Sequence, residues 1–532
     1  MKKLSKYLFI IFTSILSFNT KVLALSNTAY INIEDNTISY NGKNYSNIKE
    51  YTSLEAFLVD YNTNKLPEIY ITDFLFDGIS SVKSPDIDDF IDNNSNDIKI
   101  KTLEIKTLNI NTIGDIELTG TAKGYMVAVN TNNLKGNINL ILNNVNIDTD
   151  TKKAPAIFVY NKETTYTDCK VSIITKENTK NYIEGGKFKK VSLLPSDDLD
   201  AYKSYYTSSQ LTNYEKYSSY YGIYSANELN NILFATVKAD NEDLNDGDPY
   251  LFYKGSGAIS SDIDLYFEGK GYLKVVSKNK EGIETKGNLT FSGGTGDYEI
   301  HAHDDCLNTT TANSAGNNVR NTLTIDVNSL IAIIDDNGDE GDAIDSNGTL
   351  IINGGKIYAF AHSSSNDSGL DSEDGIYING GTIISTGNMA DAISSESKQK
   401  YLYIRFNNKI DSGTLIVIKD QDDNVITAFK TTKTISTLLY SADNLNYKSL
   451  KIYVNGEIVG QEENGLYTEI SSYTNGEEIS YQEINSINDM MNNKPNNNFI
   501  LNLLIVELVL LTIDLGYILI DKYLNKKKIK NI

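Results

Sequence analysis

The sequence predicts an all-β protein built mainly from a parallel β-helix, with a small C-terminal β-rich domain and a C-terminal transmembrane helix. Three Gly-Gly turns begin at Gly293, Gly354 and Gly380, each ten residues after an apolar residue. A constant offset between a buried residue and a turn indicates one supersecondary unit repeated along the chain. Six such apolar anchor residues can be placed: Ile259, Ile283, Leu307, Ile344, Leu370 and Ile393.

The anchors are spaced 23 to 26 residues apart, except for one interval of 37 that contains a polar insertion at 309–321. Alternating apolar pairs follow them, at Leu265/Phe267, Leu289/Phe291, Leu350/Ile352 and Ile376/Ile378. About 24 residues hold roughly three short strands and three turns, or one coil of a β-helix whose strands stack roughly 4.8 Å apart. An antiparallel sandwich with glycine-rich hairpins would explain the alternation but not the constant offset.

Both ends of the chain carry apolar segments flanked by lysine. Residues 1–24 have the pattern of a secretory signal peptide that ends at Val22-Leu23-Ala24. Residues 499–520 would give about 33 Å of helix, enough to span a bilayer. The lysine-rich tail at 521–532 places the C-terminus inside, so we expect a single-span protein at the cell membrane with an extracellular body. A cell-wall sorting signal is the alternative, although its Pro-x-Thr-Gly element is absent.

Patterning between these ends divides the chain further. A short helix is predicted at 53–60, with Ser53 as its N-cap. The predicted organisation is a signal peptide at 1–24, a mixed region at 25–97, the β-helix at 98–400 with a tyrosine-rich insertion at 185–255, the β-rich domain at 401–460, a linker at 461–498, the transmembrane helix at 499–520 and a cytoplasmic tail at 521–532.

Charge and cysteine content bear on partners. The net charge of −22 and the pI of about 4.7 argue against nucleic acid as a partner. Glu507 and Asp514 lie in the predicted span, where they could pair with a membrane partner's helix or stay protonated. Cys169 and Cys306 are the only cysteines, and we expect two unpaired thiols.

Acidic residues recur at fixed positions beside the anchors. In successive coils these positions would stack about 5 Å apart, where two carboxylates repel by about 3 kcal/mol at an effective dielectric of 20. Ca²⁺ between oxygen ligands would relieve that repulsion, whereas a solvated acidic face is the alternative. The residues two before an anchor include Glu281, Asp305, Asp342 and Asp391, and those one after it are Glu284, Asn308, Asp345 and Asp371. Further acids that could add ligands are Asp335, Asp336, Asp339, Glu340, Asp367, Glu373 and Asp374.

Three segments together resemble a known family, the secreted bacterial carbohydrate-binding proteins with a right-handed parallel β-helix like that of pectate lyases. They are 116–186, with NLILNNVNIDTDTKKAPAIFVYN at its centre, the coils of 257–397, and the strands of 413–456. The resemblance implies a right-handed helix, binding of an acidic or plant-type polysaccharide, bound calcium, and no established catalysis. The calcium ligands it implies by position are Asp305, Asp342, Asp345, Asp371 and Asp391, to which the acidic column adds Glu281.

Sugar-binding and catalytic candidates are few. The chain has no tryptophan, so a tyrosine cluster must supply any stacking platform, unless it is a polar flap. The cluster residues chosen as ligand-binding candidates are Tyr202, Tyr205, Tyr206, Tyr217, Tyr220 and Tyr221. A calcium-dependent uronate lyase would need a basic residue beside the acids, for which Arg320 is the weak candidate. His301 and His303 alternate on one strand, but no third zinc ligand is apparent.

The sequence therefore predicts a membrane-anchored extracellular protein that binds polysaccharide and whose acidic coils are stabilised by calcium. The alternatives are a calcium-dependent polysaccharide lyase and a non-catalytic adhesive or structural stalk.

Overall fold

The structure is a computed structural model that describes residues 28–73, 105–186 and 257–484. Within these ranges, the exceptions are residues 153, 162–167, 311–319, 336, 339–340, 444, 446–449 and 464. The chain divides into two compact units between Glu483 and Ile484, and every element described below belongs to the first.

The N-terminal part contains five short strands and one helix. Ser53 caps the helix by accepting the Ala56 N–H at 3.3 Å, which confirms the predicted capped helix. Phe57 of the helix is fully buried against the rings of Tyr51 and Tyr70. The elements are β1 Ala29–Asn32, β2 Thr37–Tyr40, β3 Lys43–Asn47, β4 Glu50–Tyr51, α1 Leu54–Asn62 and β5 Ile69–Thr72.

Among the described residues from 105 to 400, the structure has twenty further strands. Before the tyrosine-rich insertion these are β6 Lys106–Ile110, β7 Gly114–Lys123, β8 Tyr125–Asn130, β9 Gly136–Asp148, β10 Ile157–Tyr160, β11 Cys169–Thr175 and β12 Lys180–Gly185. After it they are β13 Ile259–Ser261, β14 Leu265–Gly269, β15 Tyr272–Ser277, β16 Ile283–Thr285, β17 Leu289–Phe291, β18 Asp297–Ala302, β19 Leu307–Thr309, β20 Leu323–Ile334, β21 Ile344–Ser346, β22 Leu350–Phe360, β23 Leu370–Ser372, β24 Ile376–Ile378 and β25 Thr382–Gly387.

Five of the six predicted anchors stand side by side in a ten-stranded sheet. Strands β13, β16, β19, β21 and β23 pair in parallel, one after the next. Their first residues are direct partners, in the order Ile259, Ile283, Leu307, Ile344 and Leu370. The sixth anchor is wrong, because Ile393 pairs with Ile376 instead of Leu370.

The apolar pairs that follow the anchors are also in register, in an eighteen-stranded sheet. Leu265 pairs with Leu289, which pairs in turn with Leu323. Phe267 and Phe291 are fully buried and stack with ring centroids 4.7 Å apart. Apolar residues at equivalent positions of successive strands therefore stack in the interior, as the alternation predicts.

The last nine strands pack a second core. They are β26 Tyr401–Ile410, β27 Leu415–Lys419, β28 Val425–Lys430, β29 Ile435–Ser441, β30 Lys451–Val454, β31 Glu457–Glu463, β32 Leu466–Thr474, β33 Glu477–Ile479 and β34 Tyr481–Glu483. Six of them, β27, β28 and β30–β33, form an antiparallel sheet. Strands therefore continue to Glu483, through residues that the sequence assigned to a linker.

The predicted fold class, a right-handed parallel β-helix, requires correction. The described residues are all-β apart from α1, but their sheets mix strand directions, with antiparallel pairs such as β1–β2, β5–β6 and β25–β29. The prediction treated every Gly-Gly pair as a corner between short strands. Gly354 and Gly355 instead lie inside the eleven-residue strand β22, so strands expected to be separate run on as one.

The predicted transmembrane helix and the localisation built on it also require correction. In the part of the chain that the structure describes, no helix is both long and apolar enough to cross a bilayer, and α1 has only nine residues. A single-span cell-membrane protein with an extracellular body is therefore not retained. The segments 1–24 and 499–520, with Glu507 and Asp514, lie outside the described residues.

Candidate functional site

The predicted acidic columns meet on strands β19, β21 and β23. Asn308, Asp345 and Asp371 occupy the central position of the three strands and are direct ladder partners. Asp305 and Asp342 each lie two residues before a strand, and backbone hydrogen bonds hold these segments together, as the Cys306 N–H donates to the Asp342 carbonyl. Parallel pairing thus brings residues far apart in the chain to adjacent positions.

Asn308 joins two carboxylates of this group. Its Nδ2 donates to Asp305 Oδ2 at 2.5 Å and to Asp345 Oδ2 at 2.9 Å. Asn308 is 8% exposed, and its Oδ1 is buried without a hydrogen-bond partner among the described residues. A buried amide oxygen without a partner costs free energy, so this atom marks a place where a cation or a donor would be stabilising.

Several carboxylates also accept hydrogen bonds from backbone N–H groups on or just before a neighbouring strand. Asp305 Oδ1 accepts the Asp342 N–H at 2.9 Å, and Asp342 Oδ1 accepts the Ser368 N–H at 2.6 Å. Asp391 Oδ2 accepts the Ser372 N–H at 2.9 Å. These acids therefore have a structural role in addition to any ligand role, because they satisfy backbone donors between successive strands.

Burial and mutual repulsion disfavour ionisation throughout the group. Burial raises the pKa of Asp342 to about 9, and the negative charge of Asp371 adds to the shift. Burial raises the pKa of Asp345 to about 9 as well, with Asp305 as the next cause. The pKa of Asp371 rises to about 6 through burial and the charge of Asp391. Burial likewise raises the pKa of Asp305 well above its usual range.

The structure brings all six predicted metal ligands into one electrostatic neighbourhood. The charge of Glu281 contributes to the raised pKa of Asp305, and Asp391 is close enough to Asp371 to raise its pKa, although Ile393 does not continue the ladder. Among the described residues, however, no three His, Cys, Asp or Glu side chains converge as a metal centre requires. The acids form a line across neighbouring strands rather than a cage.

The remaining candidates are placed elsewhere or lie outside the described residues. Arg320 is held by Asp374, with Nη1 2.7 Å from Oδ1, and also lies near Glu373. His303 is 3.9 Å from Asp335, and His301 belongs to a separate cluster treated below. Cys169 and Cys306 are both buried and are not joined by a disulfide. The predicted residues that lie outside the described residues are Tyr202, Tyr205, Tyr206, Tyr217, Tyr220, Tyr221, Asp336, Asp339 and Glu340.

Sequence reasoning placed Asn308 in the column but missed what it does there. Its amide donates to acids on or beside two neighbouring strands and leaves Oδ1 without a hydrogen-bond partner among the described residues. The side-chain type and the column position of Asn308 could have indicated this role. Asp304 was also missed as part of the acidic group; it pairs with Lys280 at 2.8 Å and raises the pKa of Asp305.

The model of one protein family matches residues 221–326 and is described as a carbohydrate-binding domain-containing protein. The matched range includes strands β13–β19 and the first residues of β20, so it covers Glu281 and Asp305. No curated protein and no solved structure matches the chain. The family match supports carbohydrate binding by this chain.

Proposed function

We propose that this chain is a polysaccharide-binding protein in which Ca²⁺ neutralises the acidic residues on and beside strands β19, β21 and β23. One observation carries the first part: the chain is similar to a carbohydrate-binding family over residues 221–326, and the described part of that range contains the parallel strands β13–β19. Stacked parallel strands present long rows of side chains, which suit an extended chain of sugar units better than a small ligand. The acidic or plant-type character of the polysaccharide is part of this proposal.

Affinity electrophoresis of the full chain tests polysaccharide binding. Native gels containing galactomannan, hydroxyethylcellulose or polygalacturonate are run with Ca²⁺ and with chelator. We expect at least one polymer to slow the protein relative to a non-binding reference protein. Unchanged migration in every gel would remove the proposal and would leave a structural or adhesive role.

The calcium part rests on the charge density of the acidic line and on Asn308. Burial and neighbouring acids raise the carboxyl pKa values of Asp342, Asp345 and Asp371. Ionisation of these groups is therefore unfavourable unless a positive charge is added. A half-turn of the Asn308 amide would exchange Nδ2 for Oδ1 beside Asp305 and Asp345. Two carboxylates and an amide oxygen are ligands that Ca²⁺ takes.

Substitution of Asn308 tests this part. Asn308→Asp adds a carboxylate to the line, so we expect a lower melting temperature than wild type in chelator and a larger increase on adding Ca²⁺. Asn328→Asp is the matched control, because the Asn328 amide also donates to a carboxylate, Asp297, but is exposed. Equal calcium responses of wild type and both variants would contradict a site at Asn308.

A polysaccharide lyase is the remaining catalytic alternative. Arg320, its weak candidate base, is engaged in ion pairs with Asp374 and Glu373. Incubation of the chain with polygalacturonate and Ca²⁺ should give no increase in ultraviolet absorbance from unsaturated product. An increase that Arg320→Ala abolishes would establish the lyase.

A further inference from the structure

A second cluster lies on the outer face of strands β12, β15 and β18. Alternate residues of these strands point outward, while their neighbours Leu273, Val275 and Ile300 are fully buried. The parallel register makes Tyr182 a partner of Lys274, which is in turn a partner of Glu299. Three strands thus place an aromatic ring, a cation and an anion in one row across the sheet.

Glu299 is the centre of a fixed hydrogen-bond network. It accepts from Tyr272 Oη at 2.6 Å, from Lys274 Nζ at 2.7 Å and from His301 Nε2 at 2.8 Å. The hydrogen bond from His301 is the largest cause that lowers the pKa of Glu299. Lys274 keeps N–H donors beyond this bond, and the carboxylate keeps acceptor capacity. Donors and acceptors are therefore held in place for a ligand's hydroxyl groups.

Tyr182 supplies an exposed ring beside this network. It is 42% exposed, and its ring centroid lies 6.3 Å from that of Tyr272, at an interplanar angle of 69°. An aromatic ring next to a few fixed polar groups is typical of ligand-binding surfaces. A pyranose ring has the matching chemistry, with an apolar C–H face and hydroxyl groups around its rim.

Farther along the sheet, the same outward face is covered by other residues of the chain. In strands β20 and β22 the outward residues Ile331, Ile333 and Tyr358 are apolar, and they pack against C-terminal residues such as Leu402 and Ile404. There the face is covered and serves the core. At Tyr182 and Lys274 the face is polar and aromatic, so packing does not account for the exposed ring.

Charge selects the kind of sugar. Lys274 and Glu299 neutralise each other, as do Lys278 and Glu184, and Lys180 and Asp297 also lie on this outward face. A polyanionic glycan would meet no net positive charge on this balanced face, whereas neutral hydroxyl groups can both donate and accept here. Strands β15 and β18 also lie inside the range that matches the carbohydrate-binding family.

We propose that Tyr182, Tyr272, Lys274, Glu299 and His301 form a binding subsite for a neutral polysaccharide, with Tyr182 stacking against a sugar ring. The proposal rests on the polysaccharide-binding function given above, gives that function a place, and favours a neutral plant-type polysaccharide over an acidic one. Neighbouring strands are about 4.8 Å apart, which is comparable to the length of one pyranose unit. A glycan lying across the strands could therefore contact one residue of the row on each strand.

The test compares two tyrosines of equal exposure in the full chain. Tyr182→Ala should weaken binding to galactomannan or hydroxyethylcellulose by about tenfold, whereas Tyr182→Phe should bind within about threefold of wild type. Tyr40→Ala is the control, because Tyr40 is also 42% exposed but lies on β2. Circular dichroism and thermal melting check that all variants fold.

The outcomes separate this subsite from the general function. If wild type binds a neutral polymer and Tyr182→Ala binds as tightly as Tyr40→Ala, the subsite is overturned while polysaccharide binding stands. Binding to polygalacturonate alone would overturn the neutral sugar class. If wild type binds none of the polymers, both proposals fail together.

Discussion

Asn308 donates from Nδ2 to Asp345 Oδ2 at 2.9 Å, although 37 residues separate them in the chain. The contact exists because β19 and β21 pair in parallel with these residues as direct partners. It connects the acidic line, which sequence spacing predicts, to a buried amide oxygen that only the structure reveals.

Without divalent cations, stability should fall as pH rises. The folded pKa values of Asp342 and Asp345 are raised to about 9 and that of Asp371 to about 6, above the ordinary value of 3.8. A carboxyl group whose pKa is raised in the folded state contributes stability that is fully present below its unfolded pKa. That contribution is lost as pH rises through its folded pKa. We expect the melting temperature in chelator to decrease from about pH 5 to about pH 9, and added Ca²⁺ to reduce the decrease. A flat profile in chelator would contradict the prediction.

Asp345→Asn should remove much of that pH dependence. The amide has nearly the shape of the carboxyl group but cannot ionise, so the repulsion from Asp305 and Asp371 disappears. At about pH 9 in chelator the variant should melt above wild type, and it should gain less from Ca²⁺. Asp297→Asn is the control, because Asp297 lies on β18 away from the acidic line. Lower stability of Asp345→Asn in chelator at this pH would show that the carboxylate is needed for packing alone.

Phe267→Ala should destabilise the first unit strongly. Phe267 and Phe291 stack in the interior and are both fully buried, so truncation leaves a cavity that neighbouring ladder residues cannot close. Such substitutions cost about 3–5 kcal/mol. Denaturant unfolding of Phe267→Ala, Phe291→Ala and the double variant measures the coupling, which should be well above zero for rings in contact. Additive effects would argue against the stacked pair.

Gly355→Ala should cost more than Gly42→Ala. Both glycines have positive φ, +110° and +68°, a region that alanine adopts only with strain. At Gly355 a Cβ would also lie 2.6 Å from the Val327 carbonyl oxygen, whereas at Gly42 no atom lies within 4 Å. We expect the larger loss of unfolding free energy for Gly355→Ala, and equal losses would contradict the steric part of the argument.

Several features could be predicted from the sequence because they depend on local spacing. The offset from anchor to turn gave the register of Ile259, Ile283, Leu307, Ile344 and Leu370. The capping of the helix by Ser53 follows from short-range chemistry. Asn308, Asp345 and Asp371, each one residue after an anchor, are ladder partners because parallel pairing repeats each position from strand to strand.

The tertiary structure decided what local spacing cannot express. Ile393 has the right spacing from Leu370 but pairs with Ile376, and Gly354 and Gly355 have the composition of a turn but lie within β22. Strand continuity and sheet membership depend on long-range pairing, which a sequence period does not encode. The burial that raises the pKa of Asp345, and the outer row of Tyr182, Lys274 and Glu299, likewise exist only once distant strands are side by side.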